Sequence, residues 1–181
     1  ETIETSTSGY LTDEEFEELT SKQDENDLLP VLKLGFNYEG TNEVDLHRQI
    51  GISFSIRNTF YYDNGYDSEI NDIGISDFYW HFPDFSDKKL IIAGVPKITK
   101  NLEVPLSIVL DKSQTFNVEI DHIRNIDRKL YILDKLNNKY YNLSTDIPVE
   151  ITLEKGNYNN RFFLTFIKTK SVLNVFIFLF Y

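Results

Sequence analysis

Oxygen-bearing side chains crowd one stretch of the chain, Asp63-Asn64-Gly65-Tyr66-Asp67-Ser68-Glu69-Ile70-Asn71-Asp72. Hard oxygen ligands on a glycine-containing loop are what Ca²⁺ requires, and Asp63, Asp67 and Asp72 are the candidate ligands. The spacing is not that of an EF-hand, because the glycine comes early and no Glu occupies the twelfth position. The same residues also form Asx turns in a solvated loop, so both readings stand.

Aromatic residues flank this loop. Tyr61 and Tyr62 precede it, and Asp77, Tyr79, Trp80 and His81 follow it. Aromatic faces beside carboxylates can stack on sugar rings, which makes Tyr61, Tyr62, Tyr79 and His81, with Trp80, a candidate glycan contact. Strand parity offers a simpler use. Phe78, Trp80 and Phe82 share one side and are expected in the core, while Tyr79 and His81 face the other way.

Other chemistry finds little support. His47, His81 and His122 are the three histidines, and they lie in separate segments without metal spacing or a serine nucleophile motif beside them. The chain has no Cys, so it offers neither thiolate ligands nor a cysteine nucleophile. It has no glycine-rich phosphate loop, and no pair among its 29 acids stands out for glycoside hydrolysis. The expectation is a non-catalytic protein with no catalytic residue and no cofactor other than Ca²⁺.

Positioning these residues falls to short strands. Apolar alternation is plain in Ile50–Ile56 and Phe116–Ile123. The pattern predicts strands over 31–38, 49–57, 78–82, 90–95, 104–110, 115–123, 130–133, 139–143, 149–153 and 161–167. The separators Glu39–Asn42, Asp63–Gly65, Asn137-Asn138 and Gly156-Asn157 carry turn chemistry. Asn137-Asn138 reads as a two-residue hairpin turn. Ten short strands without a long internal helix predict an all-β fold, a two-sheet antiparallel β-sandwich of jelly-roll type.

Both ends differ from this body, which spans residues 30–170. Residues 1–29 read as an acidic linker with a short helix. Thr12 and Glu15 form a capping box, Leu11 and Phe16 a hydrophobic staple, and the helix is expected to end near Ser21. Ten acids and one lysine within residues 1–30 account for −9 of the formal −11, so the remainder carries −2. Without a basic footprint, binding to nucleic acid is disfavoured, as is attraction to an anionic membrane. Residues 171–181 are almost wholly apolar but about half the length of a spanning helix. They are expected to form a buried closing strand or an altered sorting segment. Phe176, Phe178 and Phe180 are the candidate partner contacts. The missing initiator Met suggests an excised segment. Residues 1–9 lack the features of a signal peptide, so export signals are expected outside the chain or at its far end.

The order of motifs is informative. His47-Arg-Gln-Ile-Gly-Ile-Ser-Phe54 is followed by Tyr62-Asp-Asn-Gly-Tyr-Asp67, Val104-Pro-Leu106 and Lys129-Leu-Tyr-Ile-Leu-Asp-Lys-Leu136. Gly156-Asn-Tyr-Asn-Asn-Arg-Phe-Phe-Leu-Thr-Phe166 closes the series. Over roughly residues 45–168 it resembles the β-sandwich domain that precedes the C-terminal sorting signal in large type IX-secreted surface proteins of Bacteroidota. Asn160 stands where that family usually has Asp, and no sorting domain follows Lys170. The resemblance implies a structural or adhesive module outside the outer membrane, whose partners are neighbouring domains or subunits of a surface assembly, with glycans as the alternative. The residues themselves read as structural. Tyr131, Leu133, Phe162, Leu164 and Phe166 should face the core. Arg161 can fasten a loop by bidentate pairing with an acid, and Asp134 can bond its own turn.

Overall fold

The computed structural model describes residues 29–40 and 43–166. Eleven strands follow one another: β1 (Val31–Glu39), β2 (Asp45–Ser55), β3 (Ser68–Glu69), β4 (Asp77–His81), β5 (Lys89–Pro96), β6 (Glu103–Leu110), β7 (Gln114–Arg124), β8 (Leu130–Asp134), β9 (Lys139–Leu143), β10 (Val149–Leu153) and β11 (Gly156–Thr165). None of the described residues lies in an α-helix, and the fold is all-β. No described helix is long and apolar enough to cross a membrane. The expected helix near residues 12–21 and the apolar segment 172–181, with Phe176, Phe178 and Phe180, lie outside the described residues.

Each of the ten expected strands has a counterpart, and the short β3 was not foreseen. Hydrogen bonding links the strands in the order β10-β7-β1-β2-β5-β4-β6-β11-β8-β9, with β3 attached to β5 off this path. The path curls: β9 lies against β7 and β10, so its two ends approach and the sheet is barrel-like. One pairing corrects the all-antiparallel expectation. β2 and β5 run parallel, from Gly51↔Ile92 to Ser55↔Pro96. A parallel pair needs a crossover of a dozen or more residues, and residues 56–88, carrying the acidic loop, β3 and β4, supply it.

Alternation produces the core. On β1, Leu32, Leu34, Phe36 and Tyr38 point inward, and Lys33, Gly35, Asn37 and Glu39 alternate with them. Inside, Phe36 stacks on Phe78 at 4.4 Å, and Phe78 lies 5.0 Å from Phe116. Trp80 is fully buried and its indole N–H donates to the Gly51 carbonyl at 2.8 Å. Each such ring contributes about 1.5–3 kcal/mol by leaving water. Phe162, Leu164 and Phe166 are buried as expected, while Tyr131 is only half-buried.

Candidate functional site

The acidic loop uses its carboxylates on itself. The Asp63 Oδ2 atom accepts the Thr59 N–H at 2.6 Å. Both Asp67 oxygens accept backbone amides, Oδ2 from Asp63 at 2.7 Å and Oδ1 from Gly94 at 2.6 Å. Gly65 turns the loop with φ of 88°, a conformation that a side chain resists. Burial pushes the Asp67 carboxyl up, against the pull of those two amides. Asp72 lies elsewhere, exposed and 3.3 Å from the Arg48 guanidinium. The structure does not gather Asp63, Asp67 and Asp72 into one ligand set. The physical reason is that two of the three already satisfy loop amides.

Arg48 anchors the far end of the same connection. Its Nε and Nη2 donate to Asp77 Oδ1 and Oδ2 at 2.7 and 3.0 Å, and Asp77 is fully buried. Asp77 also accepts the amides of Gly74 and Phe78, each at 2.8 Å. A buried carboxylate satisfied by a bidentate guanidinium and two backbone donors is a fixed structural charge. Burial raises the nearby Tyr38 hydroxyl, and Asp77 adds to the effect.

The aromatic residues separate into two environments. Tyr79 and Trp80 are 1% and 0% exposed, so neither can present a face to a sugar. Tyr79 faces away from the core cluster of Phe78, Trp80 and Phe82 but is covered there: the Lys89 ammonium lies 5.1 Å above its ring and His81 packs edge-on at 6.3 Å. His81 is half-buried, and burial together with Lys89 pushes its imidazole pKa down. Tyr61 is exposed, and its ring meets exposed Phe85 edge-on at 5.2 Å. Phe60 stacks on Phe85 at 5.6 Å, and Lys88 sits 4.6 Å above the Tyr62 ring. An exposed aromatic ridge thus runs through Tyr61 and Phe85, apart from buried Tyr79 and Trp80.

The paired groups expected around Arg161 are present. Arg161 Nε and Nη2 donate to Asp134 Oδ1 and Oδ2 at 2.8 and 2.7 Å. Asp134 also accepts the Leu136 amide at 3.1 Å and Asn137 Nδ2 at 2.9 Å. Burial pushes the Asp134 carboxyl up, but the bonds and charge of Arg161 outweigh it and hold the carboxyl below its ordinary value.

One constellation escaped the sequence reading. His47, Glu119 and Asp121 bring a ring nitrogen and two carboxylates within 4.8 Å of one another, on the outer face of β2, β1 and β7. Asn37 and Gln49 bond to them. The three residues come from two strands that never pair with each other, so spacing along the chain could not reveal them. Comparison with family models, with curated proteins and with solved structures finds no match in any of the three.

Proposed function

We propose that this chain is a non-catalytic extracellular module of a type IX-secreted surface protein, a structural or adhesive stalk or assembly domain. The observation that carries this reading is the use made of Asp134 and Arg161, two charged residues within the motifs that resemble that family. They are paired with each other and with turn amides, and Asp134 is 1% exposed, so they lock a corner instead of facing a ligand. Phe162 and Leu164 of the closing motif are spent on the core.

The same reading treats the curled sheet as two facing layers, β10-β7-β1-β2-β5 and β4-β6-β11-β8-β9, in a jelly-roll-like sandwich preceded by a short acidic helix. In support, β4 and β5 share only the pairs Trp80↔Leu90 and His81↔Lys89. The ring contacts of Phe78 with Phe36 and Phe116 run from one group of strands to the other. The helix rests on its capping box and hydrophobic staple.

Antibodies against the folded chain should label intact source cells, and labelling should disappear when the type IX translocon is disabled. Labelling confined to permeabilised cells would remove the surface assignment. The exposed ridge favours a second reading, a carbohydrate-binding module, now centred on Tyr61 and Phe85. Binding on a glycan array that drops on Tyr61→Ala would support it; binding indifferent to both Tyr61→Ala and Phe85→Ala would remove that site.

A further inference from the structure

Polar side chains from three strands converge over a glycine. Gly35 of β1 stands between Gln49 of β2 and Glu119 of β7, and Asn37 stands between His47 and Asn117. The β1–β7 register slips between Lys33 and Leu34, which oppose His122 and Ile120. Asp121 is therefore the extra residue of a bulge, a device that re-aims side chains. Its carboxylate lies over Gly35. A Cβ at position 35 would stand 2.4 Å from Asp121 Oδ1 and 2.5 Å from His47 Cε1, so any larger residue there obliges both side-chain ends to move from this arrangement.

Donors and acceptors then leave one contact unresolved. Asn37 Nδ2 donates to Glu119 Oε1 at 2.7 Å, which turns its Oδ1 toward His47 Nδ1, also at 2.7 Å. With Nδ1 set against that oxygen, Nε2 faces Asp121 Oδ2 at 3.0 Å, and a proton or a metal ion can bridge the two. Gln49 Nε2 donates to Asp121 Oδ2 at 2.6 Å and steadies the carboxylate. Ligating imidazoles characteristically have their second nitrogen held by an oxygen acceptor, as Asn37 holds this one.

We propose that His47, Asp121 and Glu119 bind a divalent transition metal of the Zn²⁺ type on this outer face. One imidazole with two carboxylates suits zinc, whereas Ca²⁺ and Mg²⁺ take oxygen ligands alone. Zinc bonds of about 2.0–2.1 Å in a tetrahedron hold ligand atoms about 3.3 Å apart. The His47–Asp121 pair is already close to that separation, and the Glu119 side chain, 34% exposed, has freedom to swing inward. The ring is 43% exposed, so a fourth position stays open to water. A depression of ≈ 510 Å³ bordered by Asn37, Asp45, His47 and Asn117 adjoins the His47 side of the cluster.

The test is calorimetric titration of the untagged, metal-stripped chain with Zn²⁺ alone. One ion should bind per chain, and His47→Gln should weaken binding by at least about tenfold. Gly35→Ala, which removes no ligand, should weaken it comparably while circular dichroism without zinc stays that of the parent. His122→Gln should leave the affinity unchanged. Should Gly35→Ala fail to fold, His47→Gln decides alone. Absence of binding, or binding of equal strength in His47→Gln, would overturn the site and leave the cluster as an imidazole–carboxylate pair.

Discussion

Arg161 and Asp134 show what single residues contribute here. Removing the guanidinium leaves a buried carboxylate without its counter-charge, so Arg161→Ala should cost roughly 3 kcal/mol, read as a lower urea midpoint. Arg161→Lys should recover only part, because an ammonium cannot make the two parallel bonds. The pH dependence follows in sign. Asp134 is held below its unfolded value, so its contribution is complete above about pH 4 and is lost as pH falls through the depressed folded value. Asp67 is raised by burial and acts oppositely, losing stability as it ionises. Asp134→Asn should therefore flatten the acid limb of a plot of urea midpoint against pH. Tyr79→Ala should behave as the truncation of a buried ring, costing roughly 3 kcal/mol, while Tyr61→Ala on the exposed ridge should stay within about 0.5 kcal/mol in the same melts. The Arg161 pairing was legible because a strand-opening arginine and a strand-ending aspartate have few other uses. His47 was not, because its neighbours are set by cross-strand register and by a bulge that no residue type announces.

Among the elements, the β8–β9 hairpin departs most instructively from expectation. Asn137-Asn138 suggested a two-residue turn, yet Asp134 pairs with Lys139 and four residues form the loop. The Asp134 carboxylate captures the Leu136 amide and the Asn137 side chain, which ends the strand at Asp134 and leaves Leu136 exposed. Asn138 alone takes the left-handed conformation, with φ of 47°. Asn138→Val should therefore destabilise the fold by about 1–2 kcal/mol in thermal melts, and Asn138→Gly should not. β11 likewise begins at Gly156, where turn residues had suggested a break. Its polar first half pairs with β6 through a register shift between Tyr158 and Phe162, so backbone bonding extends the strand where apolar alternation is absent. β2 starts early for the same reason, since Asp45–Arg48 pair with β1 without an apolar face.

For the whole molecule, the class was readable from patterning and the route of the chain was not. Period-two alternation marks strands, but nothing local tells β1 to pair with β7, or β2 to run parallel to β5. Such distant pairings must close large loops before they gain contacts, which slows folding. Refolding followed by stopped-flow circular dichroism should take milliseconds to seconds, not microseconds. The lone tryptophan of the chain gives this assembly a built-in optical gauge. Trp80 belongs to β4, yet its indole is sealed in the interior and tied to the Gly51 carbonyl of β2. Its emission should therefore be blue-shifted in the native state. A shift toward the red would mark the moment when the middle of the sheet path parts from its neighbour across the core, with no second fluorophore of its kind to confuse the signal.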